Sequence, residues 1–278
     1  FMMKVGFIGT GSMGSILIES FISSGALSAN QIMAANRSHA KAANLACLYP
    51  GLYAATDNRE IAKSCDIIFI CVKPHEYKQV IEDIQPFVNS EQTIVTISSP
   101  VLIKLLEDHL PCKIAKVIPS ITNYALSGAS LFMYSERMKT SDRERLEALF
   151  RHISIPRYIE EKHARITSDL SSCGPAFLCY FLERFVDAAV ELTGISRDEA
   201  SRLAADMLLG TAKLLNDKNF TFASLQERVR VPGGITHEGL KVMQAHLDGM
   251  FEKLIHTTHV KFSSDLTKVE SLFYGQKA

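Results

Sequence analysis

Three glycines near the amino terminus stand at fixed spacing between an apolar run and a helical pattern. Residues 4–8 read Lys-Val-Gly-Phe-Ile, the next six read Gly-Thr-Gly-Ser-Met-Gly, and apolar residues then recur at helical spacing. In a strand that turns directly into a helix, the first glycine permits the tight turn, the second lets a pyrophosphate approach, and the third lets helix pack on strand. The alternative is a turn that serves packing alone. We predict a dinucleotide site that includes Gly9, Gly11, Ser12, Met13 and Gly14.

Short apolar runs alternate with helical stretches up to about residue 160. Several runs are apolar at nearly every position, which is typical of parallel strands buried on both faces of a sheet. The pattern therefore predicts an α/β fold, with a doubly wound Rossmann domain over residues 1–162. The predicted strands are Lys4–Ile8, Ile32–Ala35, Ile67–Val72, Thr93–Ile97, Lys113–Ile118 and Leu131–Tyr134.

Beyond residue 162 the patterns are helical, so we predict an all-α domain over residues 163–278. The first of its helices is apolar most of the way round, and such a helix needs cover on several sides. We predict that a partner subunit covers it; the alternative is a helix central to its own domain. The predicted helices are Pro175–Leu192, Arg197–Asn216, Phe222–Val229 and one running from Gly239 to near Lys268.

The end of the second predicted strand bears on the choice of cofactor. An acidic residue near this position usually holds the ribose hydroxyls of NAD. Here the residues are Asn36, Arg37 and Ser38. They lack the charge that would repel a 2′-phosphate, and a guanidinium can clamp that group. We predict that NADP(H) is preferred, with NAD(H) as the second option; the alternative is that Arg37 is an ordinary solvated loop residue.

Charge and cysteine spacing exclude several other classes of protein. The 30 basic residues balance 30 acidic ones, without the basic clusters that bind nucleic acid. Apolar runs fall well short of the roughly 20 residues of a membrane helix, and no signal-peptide pattern opens the chain, so we expect a cytoplasmic protein with a small-molecule substrate. Six cysteines without a CxxC pair predict mostly buried free thiols. His256 and His259 lack acidic or cysteine partners at a familiar spacing, so no metal site is predicted.

Four segments in order resemble the pyrroline-5-carboxylate reductase family over almost the whole chain: Val5–Gly14, Cys71–Pro74, Leu170–Phe177 and Val231–Thr236. The resemblance implies a Rossmann domain followed by a helical dimerisation domain, whose helices interleave with those of a second subunit in a homodimer or higher homo-oligomer. It also implies reduction of the cyclic imine of 1-pyrroline-5-carboxylate to L-proline with NAD(P)H.

The resemblance also assigns roles to individual residues. Val72, Lys73 and Pro74 would lie along the cofactor, although an ordinary strand exit followed by a helix-starting proline is the alternative. Backbone N–H groups of the Pro-Gly-Gly loop would bind the substrate carboxylate. The Thr236 hydroxyl would reach the ring nitrogen, which makes it the candidate catalytic group. The implied substrate-binding residues are Ser171, Cys173, Gly233, Gly234, Ile235 and Thr236.

Several positions depart from the family pattern. The serine that leads the family's glycine loop is Val231 here, and the asparagine after the predicted strand Lys113–Ile118 is Ser120. The Gly-Ser pair of the third motif is Ser172-Cys173. This combination is most similar to reductase-like relatives encoded with bacterial late-competence genes. Two alternatives therefore stay open. One is an enzyme for another imine or a hydroxy acid, with Lys162 as the nearest candidate catalytic lysine; the other is a regulatory protein that has lost the reaction.

Overall fold

An eight-stranded sheet forms the amino-terminal part of the structure, a computed structural model that describes residues 2–275. The strand order is β3-β2-β1-β4-β5-β6-β7-β8. All neighbouring pairs are parallel except β6 and β7. The strands are β1 Val5–Ile8, β2 Ile32–Ala35, β3 Tyr53–Ala54, β4 Ile67–Ile70, β5 Thr93–Thr96, β6 Lys113–Ile118, β7 Ala129–Tyr134 and β8 Ile155–Tyr158. The predicted mostly parallel, doubly wound sheet is confirmed.

Burial on both faces of the sheet explains the continuous apolar strands. In β4, Ile68 and Ile70 pack into one core cluster, whereas Ile67 and Phe69 pack into a second. Because successive side chains point to opposite faces, a strand covered by helices on both sides has to be apolar at every position. The helices that alternate with the strands are α1 Ser12–Ser23, α2 His39–Leu48, α3 Asn58–Ser64, α4 Tyr77–Ile84, α5 Ile103–His109 and α6 Thr140–Arg151.

The strand order reverses at β1, which has β2 on one side and β4 on the other. In an open parallel sheet, a crevice forms at such a switch point, beside the carboxyl ends of the strands. Gly9 directly follows β1, and Cys71 directly follows β4. The sheet thus brings the glycine turn and the Val-Lys-Pro turn to the same edge, as their order in the sequence predicted.

The chain is mainly helical from Ala164 onward. Contacts divide the described residues into two compact units, residues 2–174 with 257–275, and residues 175–256. The domain division between residues 162 and 163 stays a prediction. The helices are α7 Ala164–Ser168, α8 Gly174–Thr193, α9 Arg197–Asp217, α10 Phe222–Val229, α11 Ile235–Leu247 and α12 Met250–Tyr274.

Three predictions about secondary structure are wrong. Strands β3 and β8 were missed: β3 has two residues, and β8 contains Pro156 and the exposed side chain of Tyr158. Such edge strands need no continuous apolar run. The single helix predicted from Gly239 to near Lys268 is two helices, because the chain turns at Gly249 with a positive φ of 73°.

Helix α8 begins at Gly174, next to the predicted start at Pro175, but no loop precedes it. A π-helical segment, Asp169–Cys173, continues α7 directly into α8. Proline inside a helix lacks the N–H for the usual hydrogen bond. The π segment shifts the hydrogen-bond register just before Pro175, and this accommodates the proline without ending the helix.

Helix α8 exposes most of its apolar side chains in the isolated chain. Phe177 is 38% exposed, Tyr180 64% and Phe185 66%, whereas Val186 is 7% exposed. The alternative that α8 is buried within its own domain is therefore wrong for these side chains. Such a surface is typical of an interface with another protein chain.

The six cysteines are free, as predicted, but the expectation that most are buried is wrong. Cys65 and Cys112 are buried, Cys71 and Cys173 are half-buried, and the other two are exposed. Between residues 2 and 275, no helix combines the length and hydropathy needed to cross a membrane. The same residues hold no group of three or more His, Cys, Asp and Glu side chains suited to a metal ion.

Candidate functional site

Two of the three motif glycines serve backbone packing. Gly9 has a φ of 99°, and a Cβ there would lie 2.9 Å from the backbone carbonyl of Cys71. A Cβ on Gly14 would lie 2.2 Å from the carbonyl oxygen of Gly9. Both contacts are too short for any side chain, so the close approach of α1 to β1 and β4 depends on glycine at these positions.

Gly11 is different, because a Cβ there would meet no described atom within 4 Å. It precedes α1, and no described side chain caps that helix end. The first N–H groups of a helix have no partner inside the helix, and they form a ready anion site. The second glycine therefore keeps a space open in front of these groups.

That space is a cavity of about 670 Å³ beside the ends of β1, β2 and β4. Its volume lies within the roughly 300–1,000 Å³ of small-molecule pockets. Of the predicted cofactor residues, Ser12 and Met13 begin α1, Gly14 is buried behind the turn, and Pro74 begins a single 3₁₀ turn, Pro74–Glu76. The predicted residues that line the cavity are Gly9, Gly11, Asn36, Arg37, Ser38, Val72 and Lys73.

Thr10 and Asn36 shape the glycine turn. The N–H of Thr10 donates to Oδ1 of Asn36 at 3.1 Å, and Nδ2 of Asn36 donates to the carbonyl of Ser38 at 3.2 Å. The Thr10 hydroxyl is buried and has no hydrogen-bond partner among the described residues. A buried polar group normally has a partner. The glycine cradle and the open helix end fit a dinucleotide.

The cavity carries both signs of charge. Arg37 is 90% exposed, and its Nη1 lies 3.2 Å from Oε1 of Glu76. Lys41 of α2 also lines the cavity. Desolvation raises the pKa of the Cys71 thiol, which keeps it uncharged. A hydrogen bond from Arg59 holds the pKa of the Asp57 carboxyl below its ordinary value.

Sequence reasoning missed Thr10, Lys41 and Glu76. Only Glu76 carried a usable signal, since a glutamate three residues after Lys73 has the spacing of a capping box. Its Oε2 accepts a hydrogen bond from the N–H of Lys73 at 3.1 Å. Thr10 lies inside the glycine motif itself, whereas Lys41 reaches the cavity only because the sheet places β2 beside β1.

Ser171 and Cys173 lie on the π segment, which two serines join to the end of β6. Ser120 Oγ donates to the carbonyl of Ser171 at 2.9 Å, and Ser172 Oγ donates to the carbonyl of Pro119 at 2.8 Å. Ser120 and Ser172 are two of the positions that depart from the family pattern. The family has asparagine and glycine at these two positions. In this chain the two serine side chains form a pair of hydrogen bonds, each to the backbone of the other segment.

A buried charge network supports the same π segment. Arg165 Nη2 donates to Oδ1 of Asp169 at 2.8 Å and contacts the Cys173 sulfur at 3.3 Å. Thr258 donates to the other oxygen of Asp169 at 2.7 Å. These bonds hold Cys173 beside a guanidinium.

The Pro-Gly-Gly loop lies in the other compact unit. Gly233 has a φ of 72°, and the N–H of Gly234 donates to the carbonyl of Val231 at 2.8 Å. Gly234 caps α11, and no described side chain accepts from the first N–H groups of that helix. Ile235 is 95% exposed, and Thr236 also lines an apolar pocket of about 310 Å³ in this unit. The open amides and positive helix end suit a carboxylate.

Lys162, the lysine considered for a hydroxy-acid reaction, lies in the 3₁₀ turn Glu161–His163. Its Nζ lies 2.6 Å from Oε2 of Glu160, and both side chains are more than half exposed. It is a surface ion pair, and such a setting does not favour a catalytic lysine.

Comparison with known proteins identifies the family. Residues 161–264 match the family described as pyrroline-5-carboxylate reductase dimerisation, and residues 4–100 match NADP oxidoreductase coenzyme F420-dependent. The chain is 39% identical to ComE operon protein 4 (ComER) of Bacillus subtilis over 98% of this chain and 100% of that protein. It is 32% identical to pyrroline-5-carboxylate reductase 3 of the same organism, over 94% and 96%.

The chain belongs to the pyrroline-5-carboxylate reductase family. The predicted family resemblance, including the likeness to the competence-operon protein, is confirmed. Solved reductases share the fold: the NADP-bound enzyme of Plasmodium falciparum superposes with a TM-score of 0.81 at 24% identity over 99% of this chain and 98% of that one. The Coxiella burnetii enzyme gives 0.82 at 23% identity, over 97% and 98%. A Rossmann-type domain followed by an all-helical dimerisation domain is thus the architecture of the chain.

Proposed function

We propose that this reductase-family chain transfers hydride from NAD(P)H to the imine carbon of 1-pyrroline-5-carboxylate, while the ring nitrogen takes up a proton from water, and so forms L-proline. The observation that carries the proposal is the cavity at the β1–β4 switch point, where Gly11 leaves the helix N–H groups open. Family membership and the full-length match to a pyrroline-5-carboxylate reductase support the choice of substrate.

In this proposal the amino end of α1 and the glycine turn hold the pyrophosphate, and Arg37 pairs with the 2′-phosphate of NADP(H). Asn36 and Ser38 shape the adenosine side, and Val72, Lys73 and Pro74 form the opposite wall. The bound nicotinamide supplies the hydride. Cys71, kept neutral by desolvation, adds no negative charge beside the phosphates.

The substrate is assigned to the loop before α11. The N–H groups that follow Gly233 and Gly234 bind its carboxylate, and Thr236 donates a hydrogen bond to the ring nitrogen. On the family resemblance, Ser171 and Cys173 are also assigned to substrate binding. Holding two reactants in fixed geometry can lower the activation free energy by roughly 7–11 kcal/mol. This chain's task is therefore mainly one of orientation.

We also propose that the helical domain forms a homodimer through surfaces such as the exposed apolar face of α8. The match to a dimerisation family and the exposure of Tyr180 and Phe185 support this. Covering such side chains removes apolar area from water, which drives association.

A second candidate is a non-catalytic or altered-substrate paralogue with a regulatory role in late competence. It is favoured by the match to ComE operon protein 4 and by Val231, which lacks the hydroxyl that leads the family's loop. One lost hydrogen bond to a charged group costs roughly 1.5–3 kcal/mol, which weakens substrate binding by one to two powers of ten.

The deciding experiment is a nucleotide oxidation assay with purified protein and 1-pyrroline-5-carboxylate, using NADPH and then NADH. Turnover with NADPH favoured over NADH supports the proposed enzyme. Tight NADPH binding with no turnover supports the regulatory candidate. A failure to bind either nucleotide contradicts both.

A further inference from the structure

Glu76 connects the two loops that flank the candidate cofactor cavity. Its Oε1 lies 3.2 Å from Nη1 of Arg37, which follows β2, and its Oε2 accepts from the N–H of Lys73, which follows β4. The Glu76 side chain is 27% exposed and lines the cavity, whereas Arg37 is 90% exposed. One carboxylate is thus placed beside the group assigned to the 2′-phosphate.

This ion pair adds little to folding stability, because exposed pairs are screened by solvent. The position of this ion pair has a larger effect on which nucleotide binds in the cavity. The acidic residue that usually holds the ribose hydroxyls of NAD is missing from the end of β2, where Asn36 stands. Asn36 is already engaged with Thr10 and Ser38. Glu76 presents a carboxylate on the facing loop instead.

We propose that Glu76 determines the balance between NADPH and NADH, an inference that rests on the proposed cofactor function. With NADPH, the 2′-phosphate and Glu76 compete for the guanidinium of Arg37, and the two anions repel each other. With NADH, the Glu76 carboxylate accepts a hydrogen bond from the ribose 2′-hydroxyl. The same residue therefore weakens one nucleotide and strengthens the other.

The test measures the Kd of both nucleotides for the wild-type protein and for Glu76→Gln, by titration of nicotinamide fluorescence or by calorimetry. Glutamine keeps the size of the side chain and an oxygen for the Lys73 N–H, but it loses the charge. We expect the NADPH Kd to fall about threefold and the NADH Kd to rise about threefold, the scale of one exposed charge contact. The ratio of the NADPH Kd to the NADH Kd then falls about tenfold, which corresponds to about 1.4 kcal/mol of binding free energy.

Asp83→Asn is the matched control. Asp83 lines the same cavity, but its oxygens accept from Asn58 and Gln79 instead of contacting Arg37. This variant removes an equal charge and should move both Kd values in the same direction, with a ratio that changes less than about twofold, because the altered charge makes no contact with Arg37. In an Arg37→Ala background, Glu76→Gln should have a smaller effect on NADPH.

A failure of the proposed function and a failure of the role of Glu76 give different results. If the wild-type protein binds neither nucleotide, the proposed function fails, and this inference fails with it. If it binds both, yet Glu76→Gln leaves their ratio unchanged or Asp83→Asn shifts the ratio equally, only the role of Glu76 is overturned.

Discussion

The Nζ of Lys116 lies 2.6 Å from Oε1 of Glu161, and the lysine side chain is completely buried. The same ammonium donates to the carbonyl of Ser99 at 3.0 Å, while Glu161 Oε1 also accepts from the N–H of Ile103 at 3.1 Å. Burial lowers the pKa of Lys116, and Glu161 opposes this effect. One carboxylate thus ties β6 and the start of α5 to the segment that leads into the helical part of the chain.

Glu161→Gln should destabilise the protein by about 3 kcal/mol near neutral pH, since it leaves a buried ammonium without its counterion. Without the carboxylate, the pKa of Lys116 falls further below its unfolded value. Between these two pKa values the unfolded state binds more protons, so the stability of the variant rises with pH. Urea unfolding from pH 7 to 10 measures this. The exposed neighbour Glu160→Gln is the control, and equal pH dependence in both variants would contradict the prediction.

Gly11→Ala should weaken nucleotide binding, whereas Gly14→Ala should reduce folding stability. A methyl at Gly11 enters the open cavity, so folding stability stays the same or rises by up to about 1 kcal/mol. Nucleotide affinity should fall roughly ten- to hundredfold, because the helix N–H groups are blocked. A methyl at Gly14 meets the Gly9 carbonyl and should cost about 3 kcal/mol or prevent folding. Thermal melts and NADPH titrations separate the two effects; tight NADPH binding by Gly11→Ala would refute the assignment of the cavity.

Arg37→Ala should raise the NADPH Kd roughly ten- to hundredfold, the scale of lost charged hydrogen bonds. The NADH Kd should change far less, since NADH lacks the 2′-phosphate. Arg151→Ala, an exposed arginine paired with Glu147 on α6, controls for a general loss of positive charge. Equal weakening of both nucleotides by Arg37→Ala would defeat the prediction of NADPH preference.

Thr236→Val should lower kcat with 1-pyrroline-5-carboxylate about tenfold, the upper range for one neutral hydrogen bond. Valine keeps the branched shape and removes the hydroxyl, whereas Thr236→Ser keeps the hydroxyl and should retain most of the rate. The NADPH Kd should not move, because the proposed contact is to the substrate. Equal kcat values for the Thr236→Ser and Thr236→Val variants would show that the hydroxyl does not contribute to catalysis.

Ser172→Ala should cost about 1 kcal/mol of unfolding free energy, the worth of one hydrogen bond. Ser120→Ala should cost about 2 kcal/mol, because Ser120 Oγ also accepts from the N–H and the hydroxyl of Thr122. The bond that each serine donates to the other segment joins the π segment to the end of β6, so the losses should be non-additive in a double-mutant cycle. Denaturant unfolding of the two single variants and the double variant provides the measurement. Strict additivity would show that the two serines act independently.

Local sequence patterns were sufficient to predict the buried parallel strands and the glycine turn. Each of β1, β2, β4 and β5 is buried throughout, and all but β5, which begins and ends with threonine, are free of polar side chains. The contact that requires Gly14 is local, since its neighbour is the Gly9 carbonyl, whereas Gly9 is required by the backbone of Cys71 at the end of β4. The edge strand β8 and the break at Gly249 escaped prediction, since neither interrupts or creates an apolar period.

Sequence alone determined the Rossmann-type order, the change to helices, the family and the glycine turn after β1. Tertiary structure alone decided which charges meet. Lys116 and Glu161, and likewise Arg37 and Glu76, are far apart along the chain and come together only after the sheet has formed. The physical reason is that hydrophobic periodicity and turn chemistry act over a few residues, whereas an ion pair depends on the distance between side chains after the sheet has formed.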